Sequence, residues 1–341
     1  MARKLLPFSL VAACAVSTSA IFFTACGGTS SSTPASKAVA DGAVDEARGD
    51  ASEPPDGANP VDSSSGVLRG AFVNPDSADG GYRGGSEAQV EALEAQVGHL
   101  DLELDYHPFA APFPTTDEQA ALDHGRIPVV SLGCGDTMQN IADGQRDTTL
   151  KALAGAMKAS GKPVVLRWFW EMNLVKTANG RGACFDAAYD GKGTQAPDYF
   201  DPAHYIAAWQ HIHTVVAEEG AANVRMFFCG SGGEGGFAKY YPGDAYVEIN
   251  GFDVYDRKSV GFKATIAAPY AEAKMASAVR PIWVGETGAT AQLGYLDGQT
   301  KAMLAANAPL VGGVIYFDSF GPAANWSFNA DGIAGFKAFG N

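Results

Sequence analysis

Short apolar runs alternate with longer amphipathic stretches from Gly66 to the end of the chain. Eight of the runs have the length and the β-branched or aromatic content of buried strands. They are VLRGAFV, LDLELDY, IPVVSL, PVVLRWF, VRMFFC, VEINGFDVY, RPIWVGE and VGGVIYF. Six amphipathic stretches predict helices: SEAQVEALEAQV, TDEQAALDHG, TTLKALAGAMKASG, PAHYIAAWQHIHTVVAEEG, FKATIAAPYAEAKMASA and DGQTKAMLAANA.

This alternation of strands and helices predicts βαβ units and a parallel sheet. Eight units within residues 66–341 favour an α/β fold of the (β/α)₈ TIM-barrel type, as a single domain whose active site lies at the C-terminal ends of the strands. A doubly wound sheet is the alternative. It would need a glycine-rich phosphate loop after its first strand, and GAFVNPDSADGG lacks the G-x-G-x-x-G spacing.

The first 26 residues have the pattern of an export signal. A basic start, MARK, precedes an apolar run that ends at Cys26 before two glycines. This looks like a bacterial lipoprotein signal with Cys26 as the lipidated residue. Cys14 is the alternative, and so is an ordinary secretory signal. Residues 27–65 have almost no large apolar side chain, so they predict a disordered tether rich in Ser, Ala, Asp and Pro.

Charge and cysteine content narrow the function further. The net charge of −14 argues against nucleic acid as a partner, because nucleic-acid binding needs a basic face. Export permits disulfides among Cys134, Cys184 and Cys229, but the sequence does not choose the pair. Their spacing matches no zinc pattern. We therefore expect no metal and no cofactor.

Two glutamates follow predicted strands, Glu171 after the fourth and Glu286 at the end of the seventh. In a barrel both would reach the same mouth. Counting by two along a strand puts Arg167 on the side of Glu171. The same counting puts Ile282 and Val284 on the inward side with Glu286. A glutamate after a strand is also often a helix cap or a rim residue, and that alternative stays open.

Two carboxyl groups in one cleft are what glycoside hydrolysis needs, one as an acid and one as a nucleophile or base. The acid favours an apolar setting, whereas the nucleophile favours hydrogen-bond donors. Glu171 lies among aromatic residues in RWFWEMN. Glu286 has an open setting, and Arg167 and Tyr255 are candidate donors to it.

Several motifs resemble glycoside hydrolase family 26, the β-mannanase family. LRWFWEMN resembles its fourth-strand motif, in which Arg is followed after two residues by His and then Glu-Met-Asn. YYPGDAYVEINGFDVY resembles its YPGD-x-YVD-x-x-G-x-D-x-Y run, and RPIWVGETG its P-x-x-x-x-E-x-G. VGGVIYFDS with NWSF is similar to its eighth-strand ending, and ALEAQVGHLDLELDYHPF to its segment from helix one to strand two. The resemblance covers nearly all of residues 67–341.

The resemblance implies a barrel of the clan of retaining glycosidases, with Glu171 as general acid/base and Glu286 as nucleophile. It implies that Tyr255 hydrogen-bonds the nucleophile and that Arg167 and Asn173 shape the site. One departure matters. Trp170 stands where the family has His, and indole can only donate a hydrogen bond.

Further candidates for sugar contact follow predicted strands. His107 ends the second strand, with a structural hydrogen bond as its alternative. Phe317, Trp326 and Trp170 are candidates for stacking on a sugar, with packing at the rim or behind the strand as their alternatives. Asp253 shares the side of Tyr255 and is expected to be a hydrogen-bonding residue of the barrel interior.

Together these features predict an exported, lipid-anchored, monomeric endo-β-glycosidase whose partner is a polysaccharide. The substrate expected first is β-1,4-mannan. Mixed-linkage glucan, xylan and a bacterial exopolysaccharide are alternatives, because the substitution at Trp170 weakens the prediction of mannan. A polysaccharide-binding surface lipoprotein without activity is the alternative from another class. Membrane contact is expected only through the lipid on Cys26.

Overall fold

The computed structural model of the protein describes residues 66–75, 85–176, 201–320 and 324–341. The predicted signal and tether, with Cys14 and Cys26, lie outside these ranges, and so does Cys184. Of the cysteines in the described part, Cys134 is disulfide-bonded and Cys229 is a free, buried thiol. No helix among the described residues combines the length and the apolarity needed to cross a membrane.

Eight parallel strands close into a barrel in sequence order, and the last strand pairs with the first. Each strand lies where an apolar run predicts it, because strands covered on both faces carry nearly continuous apolar runs. The bounds are β1 Leu68–Asn74, β2 Leu102–His107, β3 Ile127–Leu132, β4 Val164–Trp168, β5 Val224–Ser231, β6 Ile249–Asp256, β7 Ile282–Ala289 and β8 Val311–Ser319. The predicted TIM-barrel fold is confirmed.

Helices lie between the strands, and all six predicted ones are present. The bounds are α1 Glu87–Val97, α2 Thr116–Asp123, α3 Met138–Ala142, α4 Asp147–Ser160, α5 Pro202–Glu218, α6 Phe262–Ala276, α7 Gly298–Asn307 and α8 Ala330–Gly340. The sequence patterns did not predict α3 and α8. Three glycines lower the helix propensity of ADGIAGFKAFG, and α8 is instead stabilised by burying Phe336 and Phe339.

Side chains alternate between a barrel interior and an outer layer beneath the helices. In β2, Leu102 and Leu104 point inward into a cluster that also holds Phe72, Val165 and Trp283. The outward residues of β2 are polar, and two of them are bonded to groups outside the barrel wall, Glu103 to Arg126 and His107 to Glu118 of α2. Buried Arg126 donates hydrogen bonds to the carboxylates of three glutamates there, at 2.6 Å to Glu103, 3.0 Å to Glu94 and 2.6 Å to Glu87.

A β-bulge in β7 overturns the alternation predicted for this strand. Ile282 and Val284 belong to the outer layer rather than the interior, and Trp283 points inward. The register then shifts, so that Asp253 of β6 pairs with Glu286 and Gly285 is the extra residue. A bulge turns the following side chain to the other face. Glu286 therefore faces the interior, although counting by two from Trp283 would point it outward.

Candidate active site

The chain turns a sharp corner where β4 ends. Phe169 has a φ of 41° and Glu171 a φ of 54°, values in the left-handed region that bulky residues rarely adopt. Phe169 packs in the outer layer, whereas Trp170 joins the interior cluster. The backbone N–H of Glu171 donates to the carbonyl of Cys229 on β5, at 2.8 Å. In a regular strand, adjacent side chains point to opposite faces. The corner instead turns two adjacent side chains, Trp170 and Glu171, toward the mouth of the barrel.

Three donors hold the Glu286 carboxylate. Tyr106 Oη donates to Oε1 at 2.7 Å, Arg167 Nη2 donates to Oε1 at 2.5 Å, and Tyr255 Oη donates to Oε2 at 2.6 Å. Burial and the charge of Glu286 raise the pKa of both tyrosines well above the usual value, so they remain protonated donors. Hydrogen bonds from such donors to a carboxylate are shorter and stronger than those between neutral groups.

A second carboxylate lies beneath Arg167. Arg167 is completely buried, and its Nη1 donates to Asp253 at 3.0 and 3.1 Å. Burial opposes the guanidinium charge, but Asp253 and Glu286 outweigh it and raise the pKa of Arg167. Cys229 Sγ also donates to Asp253, at 3.0 Å. Asp253 is therefore a hydrogen-bonding residue of the interior, as its strand position predicts.

The Glu171 carboxyl has a setting opposite to that of Glu286. Burial raises its pKa well above the usual value, and the negative charges of Asp253 and Glu286 raise it further, whereas Arg167 opposes them. A carboxyl with a raised pKa holds its proton at higher pH and can act as an acid. The site therefore contains one carboxyl that retains a proton and one carboxylate held by three donors.

Aromatic rings form the wall around these groups. Trp170 packs against Tyr106 with ring centroids 5.0 Å apart, and it covers the Arg167 guanidinium at 5.2 Å. On the other side, Trp326 and Phe317 contact Tyr255, at 4.9 and 6.0 Å between centroids. The structure thus brings Trp170, Phe317 and Trp326 into the wall of one site. Stacking of these rings on a sugar stays a prediction.

Solved structures with the same architecture include mannanases, several of them of family 26. The chain aligns with a mannanase of Bacillus subtilis at a TM-score of 0.54 and 18% identity, over 80% of this chain and 86% of the other. It aligns with the family 26 domain of an endo-β-mannanase/endo-β-glucanase from Prevotella bryantii at 0.54 and 13%, over 83% and 90%. A family 26 β-mannanase from Bacteroides ovatus gives 0.51 and 13%, over 83% and 90%. The fold is that of glycoside hydrolase family 26.

Comparison of sequences alone gives a weaker relation. No family model matches the chain. Endoglucanase H of Acetivibrio thermocellus is 26% identical over 198 residues, which are 57% of this chain. The match spans only a fifth of that relative, 20% of its length. The fold thus supports the family 26 resemblance of the sequence motifs, and the relatives include both a mannanase and an endoglucanase.

His107 does not lie in the site described above. Its ring nitrogens contact Glu118 Oε1 of α2 at 2.7 Å and the carbonyl of Ala111 at 3.0 Å, and its side chain is fully buried. Both nitrogens are thus engaged behind the barrel wall, which corrects the predicted sugar contact in favour of the structural hydrogen bond. The last residue of β2 points outward because the residue before it, Tyr106, points inward.

Tyr106 is the site residue that the sequence analysis missed. It follows Leu102 and Leu104 at intervals of two on the inward face of β2. Extending that alternation to the end of the strand would have found it. His107 was expected at the mouth because it ends the strand, but the side chain of the last residue of a strand still follows the alternation.

Asn173 lies just beyond the corner. Its side-chain amide is bonded to the backbone of Ser231 and Gly235 at the end of β5 and just beyond it. The resemblance implies that Asn173 shapes the site, and in the structure its side chain contacts the protein backbone. Arg167, Tyr255 and Glu286 form one hydrogen-bonded network, and Glu171 lies within its electrostatic reach.

Proposed function

We propose that the protein is a retaining endo-β-glycosidase that cleaves a β-linked polysaccharide. Glu171 is the general acid/base and Glu286 the nucleophile. The observation that carries the proposal is the contrast between the two carboxyl groups. Burial and neighbouring negative charges raise the pKa of Glu171, while two tyrosines and an arginine donate to Glu286. Glycoside hydrolysis needs such a pair of unlike carboxyl groups.

The reaction has two steps. In the first, Glu286 attacks the anomeric carbon, the glycosidic C–O bond breaks, and the Glu171 proton goes to the departing oxygen. In the second, Glu171 takes a proton from water, which attacks the glycosyl ester and releases Glu286 as a carboxylate. Tyr106, Tyr255 and Arg167 stabilise the carboxylate charge as it forms again.

The first substrate we propose is β-1,4-mannan, because the aligned structures include mannanases. A β-glucan is the second candidate. Two observations favour it: the sequence relative is an endoglucanase, and Trp170 presents an aromatic ring beside Arg167 where the family motif has a histidine. Losing an acceptor beside the acid changes which sugar hydroxyls can be bound there.

A panel of mannan, mixed-linkage glucan, xylan and bacterial exopolysaccharide tests the proposal. Release of reducing ends from one of them is expected. Glu286→Ala and Glu171→Ala should lose that release while still folding, as shown by a cooperative thermal unfolding transition. A wild-type protein that binds one polysaccharide and releases no reducing ends from any would instead be a binding lipoprotein.

The stereochemistry of the product tests the two-step route separately. Proton NMR early in the reaction should show the β-anomer of the new reducing end. A first-formed α-anomer would mean inversion, and Glu286 would then act as a base on water rather than as a nucleophile.

We also propose export with lipidation at Cys26, on the strength of the apolar run that ends there. Radiolabelled palmitate supplied to expressing cells should label the wild type and Cys14→Ser, but not Cys26→Ser. Labelling lost only in Cys14→Ser would move the lipid to Cys14, and labelling of none of them would leave an ordinary secretory signal.

A further inference from the structure

The side chain of Asn173 is fully occupied by the protein backbone. Its Oδ1 accepts from the N–H of Ser231 at 2.7 Å, and its Nδ2 donates to the carbonyls of Ser231 at 2.8 Å and Gly235 at 2.9 Å. Both amide hydrogens are therefore used, and the residue is buried. No donor of this side chain remains for a sugar hydroxyl.

These bonds continue the pairing of β4 with β5 beyond the end of β4. The regular pairing ends with Leu166 opposite Met226. After the corner, the N–H of Glu171 donates to the carbonyl of Cys229. Two residues further along, the Asn173 amide bonds both the N–H and the carbonyl of Ser231. The side chain of Asn173 thus bonds to β5 in the way that a backbone group would. It continues the register set by the hydrogen bond between Glu171 and Cys229.

Such an attachment is needed because the corner is strained. Phe169 and Glu171 both have positive φ values, and residues in that region stay there only when their surroundings hold them. Glu171 is held on its N-terminal side by Cys229 and on its C-terminal side by the Asn173 amide. Releasing the Asn173 amide would let the corner relax and turn the carboxyl of Glu171.

We propose that Asn173 is a positioning residue that fixes the orientation of the acid Glu171 by fastening the corner to β5, and that it does not bind sugar. The proposal rests on the proposed function and deepens it. Its consequence depends on the leaving group. A dinitrophenolate departs without a proton, whereas a phenolate or a sugar needs the proton of Glu171 as its C–O bond breaks. In the first step, which kcat/KM reports, misorientation of Glu171 therefore matters only for poor leaving groups.

The experiment compares dinitrophenyl and phenyl glycosides of β-mannobiose and β-cellobiose in the full-length protein. We expect Asn173→Ala to lower kcat/KM for the phenyl glycoside by about tenfold to a hundredfold, the order found when a reacting group is displaced by 1 Å. We expect kcat/KM for the dinitrophenyl glycoside to stay at the wild-type value. Equal losses on both substrates would mean that Asn173 binds sugar, and no loss on either would mean that it positions nothing.

Asn173→Asp keeps the size of the side chain and its Oδ1 acceptor but removes both donors. It should give the same dependence on the leaving group, and it carries the test if Asn173→Ala does not fold.

Asn223→Asp is the matched control. The Asn223 amide also bridges two carbonyls, of Met157 at 2.9 Å and Lys162 at 2.7 Å, but it precedes β5 at the opposite end of the barrel. Asn223→Asp should lower thermal stability, and any effect on kcat/KM should be the same for both leaving groups. A loss of kcat/KM confined to the phenyl glycoside in Asn223→Asp would overturn the proposal.

Failure of this inference can be told apart from failure of the proposed function. Glu171→Ala must itself spare the dinitrophenyl glycoside and lose the phenyl glycoside. If it does not, Glu171 is not the acid and the proposed function fails. If it does and Asn173→Ala does not, only the role of Asn173 is refuted.

Discussion

Gly285 is the residue on which the orientation of Glu286 depends, and Gly285→Ala tests this dependence. A Cβ at this position would lie 2.6 Å from Cys229 Sγ, 2.7 Å from Asp253 Oδ1 and 3.0 Å from Phe227 Cζ. Favourable contacts between carbon atoms lie at about 3.5–4.0 Å, so the methyl group is too close to the sulfur by roughly 1 Å. The neighbouring strands must therefore separate.

The magnitude follows from that displacement. Overpacking a buried site lowers the free energy of unfolding by about 1–3 kcal/mol. Because Glu286 is the next residue, its carboxylate moves away from its three donors. A shift of about 1 Å at a reacting group costs on the order of a hundredfold in rate. We expect Gly285→Ala to lower both the unfolding temperature and kcat/KM on the polysaccharide that the wild type cleaves.

Two further variants make this test sharper. Gly155→Ala on α4 places its methyl group with no atom within 4 Å, so it should raise stability by up to about 1 kcal/mol and leave kcat/KM unchanged. Adding Cys229→Ala to Gly285→Ala removes the closest contact and should restore part of the lost stability. Wild-type stability and activity in Gly285→Ala would refute the tight packing. A stability loss without an activity loss would refute the coupling to Glu286.

Three other outcomes are expected. Tyr106→Phe removes one hydrogen bond to a charged carboxylate, worth about 1.5–3 kcal/mol, so kcat/KM should fall by about 10- to 100-fold; an unchanged rate would remove Tyr106 from the site. Asp253→Asn removes a negative charge that raises the pKa of Glu171, so this pKa should fall. The alkaline limb of the pH profile of kcat/KM should therefore move to lower pH. A move to higher pH would contradict the electrostatic coupling of Asp253 to Glu171. Arg126→Met leaves three glutamates without their cation and should lower the free energy of unfolding by about 3–5 kcal/mol, measured by denaturant unfolding, with kcat of the folded enzyme unchanged.

Where apolar runs are long and uninterrupted, the sequence was sufficient to predict the fold. The strands of the barrel are covered on both faces, so each leaves a run that is hard to mistake. Helix α8 escaped prediction because its stability comes from tertiary burial of two phenylalanines rather than from its own propensity.

Residue-level geometry was harder to predict where the backbone departs from a regular strand. The inward side of β7 was misassigned because nothing in RPIWVGETG reveals that Gly285 is an extra residue. The contacts of Asn173 could not be predicted, because its partners are backbone groups of β5 and backbone groups carry no sequence pattern. Arg167 and Tyr255 lie on the predicted side because each keeps the alternation of its strand, whereas Glu286 reaches the interior only through the bulge at Gly285.

At the corner after β4, different contacts hold the neighbouring residues Trp170 and Glu171. Glu171 is oriented by its backbone and by β5, whereas Trp170 is held by side-chain packing on Tyr106 and Arg167. Exchanging the side chain at position 170 therefore leaves the backbone that carries the acid in place. Under the proposed function, a different side chain at position 170 would therefore change which sugar is bound and leave the acid where it is.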